Sequence, residues 1–265
     1  MHDDKDYFET YLDHFPDAPS LVLVRSVELR NFPTTFLKPP ILDLCCGDGF
    51  FCATLGLKHI SGCDISERAI QLAQEKGVYS DLKISDVRKL PYQNSSFNSI
   101  LSNCAPEHVE EINIALSEVS RVLMKGGHLI MTVPSQLLLN GFPPKKFFES
   151  IGLGRFGEKL LYEYNKKQTH RHVLTLNQWQ KLLNEAGLKI FHHFCLFDES
   201  SYKIAMFCDW LTTLRVFNIA NRFFRLILPC WGRKAFWRSL LKEYYLRSTP
   251  LDEGGELVIV AKNEK

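Results

Sequence analysis

The stretch ILDLCCGDGFF, residues 41–51, decides the fold of this chain. Its first half is a short apolar run, typical of a buried β-strand, and its second half places Gly47 and Gly49 directly before an apolar helical segment. A turn of small residues lets a ligand touch the backbone, and the N-terminus of the following helix favours a negative group. The stretch therefore predicts the ligand-binding turn of a nucleotide-binding α/β domain that covers residues 40 to 135.

Downstream of this turn, short apolar runs alternate with amphipathic segments. Further strands are predicted at residues 59–65, 82–87, 97–104, 128–135, 188–197 and 255–263. Helices are predicted at residues 50–57, 66–77, 109–124 and 175–187, with Ser66 and Thr175 as N-caps and a turn at Lys125-Gly126-Gly127. The first forty residues are expected to form one or two helices that end at the prolines. The alternation of strands and helices predicts a parallel sheet with right-handed crossovers.

Two carboxylates indicate which class of ligand the turn binds. Asp64 ends the second predicted strand, where it could accept both hydroxyls of a ribose. Asp43 lies inside the first strand, and an acid there suits a cationic amino group but repels a pyrophosphate. The glycine pattern also lacks the third glycine of a dinucleotide fingerprint, since Cys52 stands at that position. A ligand with an ammonium group is therefore favoured over NAD.

Five segments in order carry a more specific resemblance: residues 41–51, 62–66, 85–92, 97–109 and 118–135. They resemble the successive motifs of class I S-adenosylmethionine-dependent methyltransferases, and most closely those of the type 11 group. Residues 172–188 extend the resemblance weakly. It implies S-adenosylmethionine as the cofactor. It also implies a Rossmann-like, doubly wound, mostly parallel seven-stranded α/β sheet with an antiparallel last strand and helical cap insertions.

The resemblance implies a set of cofactor-binding residues: Asp43, Cys45, Gly47, Gly49, Asp64, Ile65, Asp86, Val87 and Asn103. Asp43 would face the methionine amino group, and Asp64 would hold the ribose. Ile65 would pack on the adenine, whose amino group would donate to Asp86. Asn103 would lie beside the sulfonium. The backbone of the glycine turn would line the methionine chain, and Val87 would offer its backbone.

Three residues are candidates for catalysis. Glu107 and His108 follow the fourth strand, at a position that faces the transferable methyl group in the family. They could equally begin the next helix, where the helix dipole favours a carboxylate. His172 precedes the helix at 175–187, where it could act as a general base for a hydroxyl or amine acceptor or be a surface residue.

The remaining segments are expected to contact the acceptor. Residues 1–38 would form an N-terminal helical lid on a methyltransferase domain of residues 39–265, with insertions 136–172 and 198–250 as a substrate cap. The first insertion reads as irregular and the second as mostly helical. Within the second, residues 202–231 mix Trp, Phe, Leu and Arg, so they could instead make a peripheral membrane contact. Their charges argue against a membrane span.

Composition limits the function further. A formal charge of +2 over 265 residues disfavours a nucleic-acid partner, and the polar N-terminus predicts a cytoplasmic chain, with peripheral membrane contact left open. The eight cysteines show neither CxxC pairs nor zinc spacing, so buried thiols and no metal site are expected. We expect methyl transfer to a small-molecule or lipid/glycan-linked acceptor, with O-methylation first. A non-catalytic S-adenosylmethionine-binding or regulatory protein is the alternative.

Overall fold

The computed structural model describes residues 6–137, 141–213 and 227–265, and for 211–213 the backbone alone. The chain divides into two compact units. One unit, called here the sheet unit, comprises residues 33–136, 170–195 and 256–265. The other, called here the helical unit, comprises residues 1–32, 137–169 and 196–255.

The sheet unit is built on a seven-stranded sheet with the strand order β3-β2-β1-β4-β5-β7-β6. Its strands are β1 Ile41–Leu44, β2 Ile60–Asp64, β3 Tyr79–Ile84, β4 Phe97–Asn103, β5 Leu123–Pro134, β6 Leu188–Leu196 and β7 Glu256–Asn263. Strands β1 to β5 pair in parallel, and β7 pairs antiparallel to β5. This arrangement confirms the predicted fold class. It also places the carboxyl ends of β1, β2 and β4 at one edge of the sheet.

Four helices and two short 3₁₀ turns belong to the sheet unit: α3 Phe50–Leu55, α4 Glu67–Gln74, α5 Ile112–Val122, α8 Leu176–Ala186, η1 Thr34–Phe36 and η2 Pro106–His108. The predicted N-caps are confirmed. Ser66 Oγ accepts from the backbone N–H of Ala69 at the start of α4. At α8, Thr175 and Gln178 form a reciprocal capping box, and Trp179 anchors the buried face of the helix.

Three element predictions are corrected. The third strand spans Tyr79–Ile84 rather than residues 82–87. Asp86 and Val87 therefore follow this strand instead of ending it. The turn predicted at residues 125–127 is a bulge inside β5, because Gly126 takes a φ of +79° and the register shifts while pairing continues. The helix predicted at 109–124 begins only at Ile112, after η2.

The helical unit contains α1 Tyr7–His14, α2 Pro19–Asn31, α6 Pro143–Ser150, α7 Gly154–Gln168, α9 Glu199–Thr213 and α10 Cys230–Arg247. Helices α6 and α7 occupy much of the insertion predicted to be irregular, which was wrong because its glycines and aromatic residues mask a helical hairpin. The basic side chains of α10 pair with acids of α1 and of the loop after it: Lys234 with Asp13, Arg238 with Glu9, and Arg233 with Asp17.

In the described ranges, none of the helices combines the length and apolar character needed to cross a bilayer. Part of the segment predicted to contact a membrane or cap the pocket, residues 214–226, lies outside the described residues. All eight cysteines are free thiols, and Cys230 at the start of α10 is the exposed one.

Candidate active site

The turn after β1 is shaped by residues with left-handed backbone. Cys45 has a φ of +59° and Gly47 one of +55°, and α3 follows Gly49, whose φ is +74°. Gly49 also has no room for a side chain, because a Cβ there would lie 2.7 Å from the ring of Tyr79. The predicted glycine turn is therefore present, and its shape depends on the absence of a side chain at Gly49.

Asp64 ties this turn to the end of β2. Its Oδ2 accepts from the backbone N–H of Gly47 at 3.0 Å, and its Oδ1 accepts from the N–H of Ser66 at 2.9 Å. Each carboxylate oxygen can accept more than one hydrogen bond, so both keep the capacity to accept from a ribose. The neighbouring Ile65 side chain is 70% exposed, although it is apolar. An exposed apolar side chain beside such a carboxylate suits the face of an adenine.

Asp43 is buried and its Oδ2 accepts two hydrogen bonds. Tyr79 donates its phenolic O–H at 2.6 Å, and Cys52 donates its S–H at 3.0 Å. Burial raises the pKa of Asp43 to about 6, although the hydrogen bonds from Cys52 and Tyr79 oppose this rise. The nearby charge of Asp64 raises the pKa further. Keeping this buried carboxylate charged therefore costs free energy, and a cationic ligand beside it would reduce that cost.

Tyr79 is the site residue that sequence reasoning missed. It lies at the start of β3, and its ring fills the space left by Gly49 and by Gly62 in β2, where a Cβ would meet it at 2.7 Å in each case. A glycine in the interior of a strand signals a close approach by another group. Gly62 carried this signal, but the sequence does not name the residue that approaches.

Two of the residues predicted to contact the adenine, Asp86 and Val87, lie in the loop after β3. Arg88 donates to both carboxylate oxygens of Asp86, and these hydrogen bonds hold the pKa of Asp86 below its usual range. Arg88 also reaches Glu111, at the start of α5. The carboxylate of Asp86 is therefore oriented by Arg88, and the Val87 side chain beside it is buried. Both residues follow the carboxyl end of β3, next to the end of β2.

Asn103 ends β4, and its side-chain amide donates to Thr132 Oγ1 on β5 at 2.8 Å. This hydrogen bond orients the amide across the edge of the sheet. The next residue, Cys104, takes a left-handed φ of +45° and donates its N–H to the same Thr132 oxygen. The chain therefore turns sharply after β4, which brings η2 to this edge.

The catalytic candidates come together around η2. The Glu107 side chain is buried, with its Oε1 3.7 Å from Nε2 of His108, whose side chain is 39% exposed. The rings of His108 and His170 stack with centroids 5.4 Å apart. Burial, together with the charge of His108, lowers the pKa of His170 to about 4. His170 is therefore neutral at physiological pH, and His108 combines a carboxylate neighbour with access to solvent.

Residues 170–172 are held on η2 by their backbone. The N–H groups of Arg171 and His172 both donate to the carbonyl oxygen of Glu107, at 2.8 and 3.1 Å. The His172 ring is also engaged, since its Nε2 lies 2.8 Å from the carbonyl oxygen of Val109. A carbonyl accepts only, so this nitrogen carries a proton. His172 therefore lies beside η2, where its hydrogen bonds hold the loop of residues 170–172 in position.

The charge around the turn fits a cationic ligand. Burial raises the pKa of the Cys45 thiol, and the carboxylates of Asp64, Asp43 and Glu107 raise it further. Glu107 thus acts on the same turn as the two aspartates. Three carboxylates around one turn can accept from an ammonium and from ribose hydroxyls and attract a sulfonium, and the exposed apolar side chain at the rim can pack on an adenine, so the turn fits the groups of S-adenosylmethionine.

Comparisons with known proteins agree with this geometry. Residues 38–187 match the family model of the methyltransferase domain. The chain is 25% identical over 178 residues to a demethylmenaquinone methyltransferase of Bacillus licheniformis, covering 62% of this chain and 75% of that protein. It is 26% identical over 157 residues to a ubiquinone biosynthesis O-methyltransferase of Chelativorans sp., covering 56% of this chain and 58% of that protein.

A solved structure from Thermotoga maritima shares the fold. That protein, a S-adenosylmethionine-dependent methyltransferase described as a possible histamine N-methyltransferase, superposes with a TM-score of 0.60 at 18% identity. The superposition covers 97% of this chain and 94% of that one. The family match spans more than half of the chain and includes the glycine turn, both aspartates and η2. The chain therefore belongs to the methyltransferase-domain family and is a class I S-adenosylmethionine-dependent methyltransferase.

Proposed function

We propose that this enzyme transfers a methyl group to a hydroxyl oxygen of a small-molecule or lipid/glycan-linked acceptor, with His108 as the general base. The observation that carries the proposal is the arrangement of a buried Glu107 beside a solvent-accessible His108 at the edge of the sheet. A hydroxyl must lose its proton to become a good nucleophile, so a base of this kind favours oxygen. The name of the Chelativorans relative as an O-methyltransferase supports the same choice.

The residues of the sheet edge have separate tasks in this proposal. Asp43 holds the ammonium of the cofactor, Asp64 the ribose and Asp86 the adenine amino group. Ile65 packs on the adenine, and Asn103 lies beside the sulfonium. When bound, S-adenosylmethionine supplies an electrophilic methyl group. The protein contributes orientation and exclusion of water, and the base receives the proton of the acceptor.

His108 is preferred over His172 as the base because of their contacts. The His172 ring is bound to the carbonyl of Val109, whereas the His108 ring is accessible and stacks on a neutral His170. A carboxylate near the imidazole stabilises the imidazolium that forms when the base takes up a proton. The 3.7 Å separation of Glu107 Oε1 from His108 Nε2 supports this role for Glu107.

The N-terminal segment and the two insertions are proposed to select the acceptor. Residues 1–38 would form a lid, and insertions 136–172 and 198–250 would form the substrate cap. A cytoplasmic location, an acceptor that is not a nucleic acid, and a membrane contact through residues 202–231 remain predictions. The names of the demethylmenaquinone and ubiquinone relatives make acceptors on an isoprenoid lipid a good first class to assay.

The test is methyl transfer to hydroxylated acceptors. Purified enzyme, S-adenosylmethionine and a panel of phenols, quinols and glycans are incubated, and the demethylated cofactor is measured. We expect His108→Gln to lower kcat by about a hundredfold with unchanged S-adenosylmethionine affinity, since general base catalysis contributes at least this much. His193→Gln is the matched control, because His193 is exposed on β6.

Two results would contradict the proposal. An unchanged kcat in His108→Gln would remove His108 as the base. If the enzyme binds S-adenosylmethionine tightly but methylates none of the hydroxylated acceptors, O-methylation is contradicted. If it also methylates no amine or thiol acceptor, the result supports a non-catalytic binding protein.

A further inference from the structure

Helices α6 and α7 form a tightly packed hairpin in the helical unit. Gly157 of α7 lies against α6, because a Cβ there would come within 2.8 Å of the carbonyl oxygen of Lys145. The ring of Tyr164 stacks on Phe142 with centroids 5.0 Å apart, and Leu161 is buried on the same side of α7. The hairpin therefore has a fixed inner face, and its outer face and tip face solvent.

The tip of this hairpin is apolar. Four large side chains lie about half exposed: Phe147 at 60%, Ile151 at 52%, Leu153 at 53% and Phe156 at 48%. The two phenylalanines among them are held in place, because the ring of Phe148 packs edge-on against both Phe147 and Phe156. A fixed group of exposed apolar side chains marks a contact surface, since single exposed residues are common but clusters are not.

A basic stripe runs from this tip along the outer face of α7. Its residues follow each other at intervals of four, three and four positions, which is the spacing of one helix face: Arg155, Lys159, Tyr162 and Lys166. All four are exposed, on the side opposite to the buried Gly157, Leu161 and Tyr164. Over residues 143–168 there are six basic and three acidic residues, a net charge of +3.

The acids of the hairpin do not cancel the stripe. Glu158 pairs with Lys145 of α6 at 2.8 Å, and Glu149 lies 3.8 Å from the same lysine. The third acid, Glu163, is exposed on α7 beside the stripe. Arg155, Lys159 and Lys166 outnumber it, so the outer face of α7 remains positive and carries a tyrosine beside an apolar end.

We propose that the hairpin of residues 143–168 docks on an anionic lipid bilayer, with its tip in the interface and its stripe on the headgroups. Apolar and aromatic side chains beside lysine and arginine are the composition that binds such surfaces. A nucleic acid would not use the apolar tip. A symmetric contact with a second copy would bring the positive stripes together, which is unfavourable. The proposal rests on the proposed function only for its substrate class, a lipid-linked acceptor.

The test is co-sedimentation of the full chain with vesicles of phosphatidylcholine alone or with a third of phosphatidylglycerol. We expect binding to the anionic vesicles that weakens with salt. Neutralising the stripe with Arg155→Gln/Lys159→Gln/Lys166→Gln, or changing the tip with Phe147→Ser/Leu153→Ser, should each weaken it by about tenfold or more. Lys181→Gln/Lys189→Gln and Ile114→Ser are matched controls on exposed positions of the sheet unit, and should bind as the wild type does.

Folding of each variant is checked by circular dichroism and by S-adenosylmethionine affinity. The proposal is overturned if the wild type does not bind anionic vesicles, or if the stripe and tip variants bind as the wild type does. A dimer in light scattering that only the tip variant loses would assign the tip to a second copy instead. Methyl transfer to water-soluble acceptors, measured without vesicles, tests the proposed function separately.

Discussion

A single oxygen of Asp43 receives a phenolic and a thiol hydrogen bond, and this contact has a measurable consequence. The cofactor ammonium requires Asp43 in its charged form, so affinity should fall as the pH drops through the pKa of about 6. We expect S-adenosylmethionine to bind about tenfold more weakly at pH 5 than at pH 7, since one pH unit below a pKa leaves about a tenth of the group charged. Titration calorimetry at several pH values measures this.

Replacing Tyr79 with phenylalanine should shift the pH dependence of S-adenosylmethionine affinity. The Tyr79 hydrogen bond favours the charged carboxylate, so Tyr79→Phe should raise the pKa of Asp43, and the loss of affinity should begin at a higher pH. The other groups that act on Asp43, namely Cys52 and Asp64, are unchanged in this variant. Tyr92→Phe is the matched control, because that phenol donates to the carbonyl of Gly62 instead. Identical pH profiles in Tyr79→Phe and the wild type would rule out this role.

The sequence was informative for residues that follow a local pattern. Asp43, Gly49 and Asp64 could be predicted because strand, turn and next strand end lie within a short stretch. The contact of Tyr79 with Asp43 could not be predicted, because Tyr79 lies 36 residues further along the chain. The stacking of His170 on His108 could not be predicted either, since it depends on how a distant loop folds back on η2.

At the scale of elements, the capping box of α8 is expected to contribute to stability. Thr175→Ala removes the acceptor for the N–H of Gln178, which should lower the free energy of unfolding by about 1 kcal/mol. The urea midpoint measures the change, and Thr175→Ser, which keeps the hydroxyl, should lose much less. A loss as large in the serine variant would mean that packing of the threonine methyl group, and not the cap, stabilises α8.

Element boundaries were less predictable than element types. The capped helices α4 and α8 were found where their N-cap residues predicted them. Strand β5 extends through two glycines because a bulge keeps it paired, which a local turn signal does not reveal. The α6–α7 hairpin was missed because four glycines at positions 141, 152, 154 and 157 disfavour a helix locally, whereas in the structure Gly157 allows α7 to pack closely on Lys145 of α6.

At the scale of the whole molecule, cofactor binding should stabilise the native state. A ligand at a hundred times its Kd adds about 2.7 kcal/mol to the free energy of unfolding. For a chain of this size that corresponds to a rise in Tm of roughly 5–10 °C. Thermal scans with S-adenosylmethionine and its demethylated product should show this rise, whereas NAD at the same concentration should leave Tm unchanged. A rise with NAD alone would contradict the cofactor assignment.

The ring of Tyr79 also sets a condition on how this sequence can evolve. The ring occupies the volume that side chains at Gly49 and Gly62 would need, so the three positions are sterically linked. A lineage that keeps the tyrosine must keep both glycines, and Gly49 is further restrained by its φ of +74°. A small residue at position 79 would make room for an alanine at position 62 once the Leu82 side chain, whose Cδ2 would lie 2.9 Å from the new Cβ, shifts. Among related sequences, positions 62 and 79 should therefore change together, and the carboxylate of Asp43 should then receive its hydrogen bond from another donor.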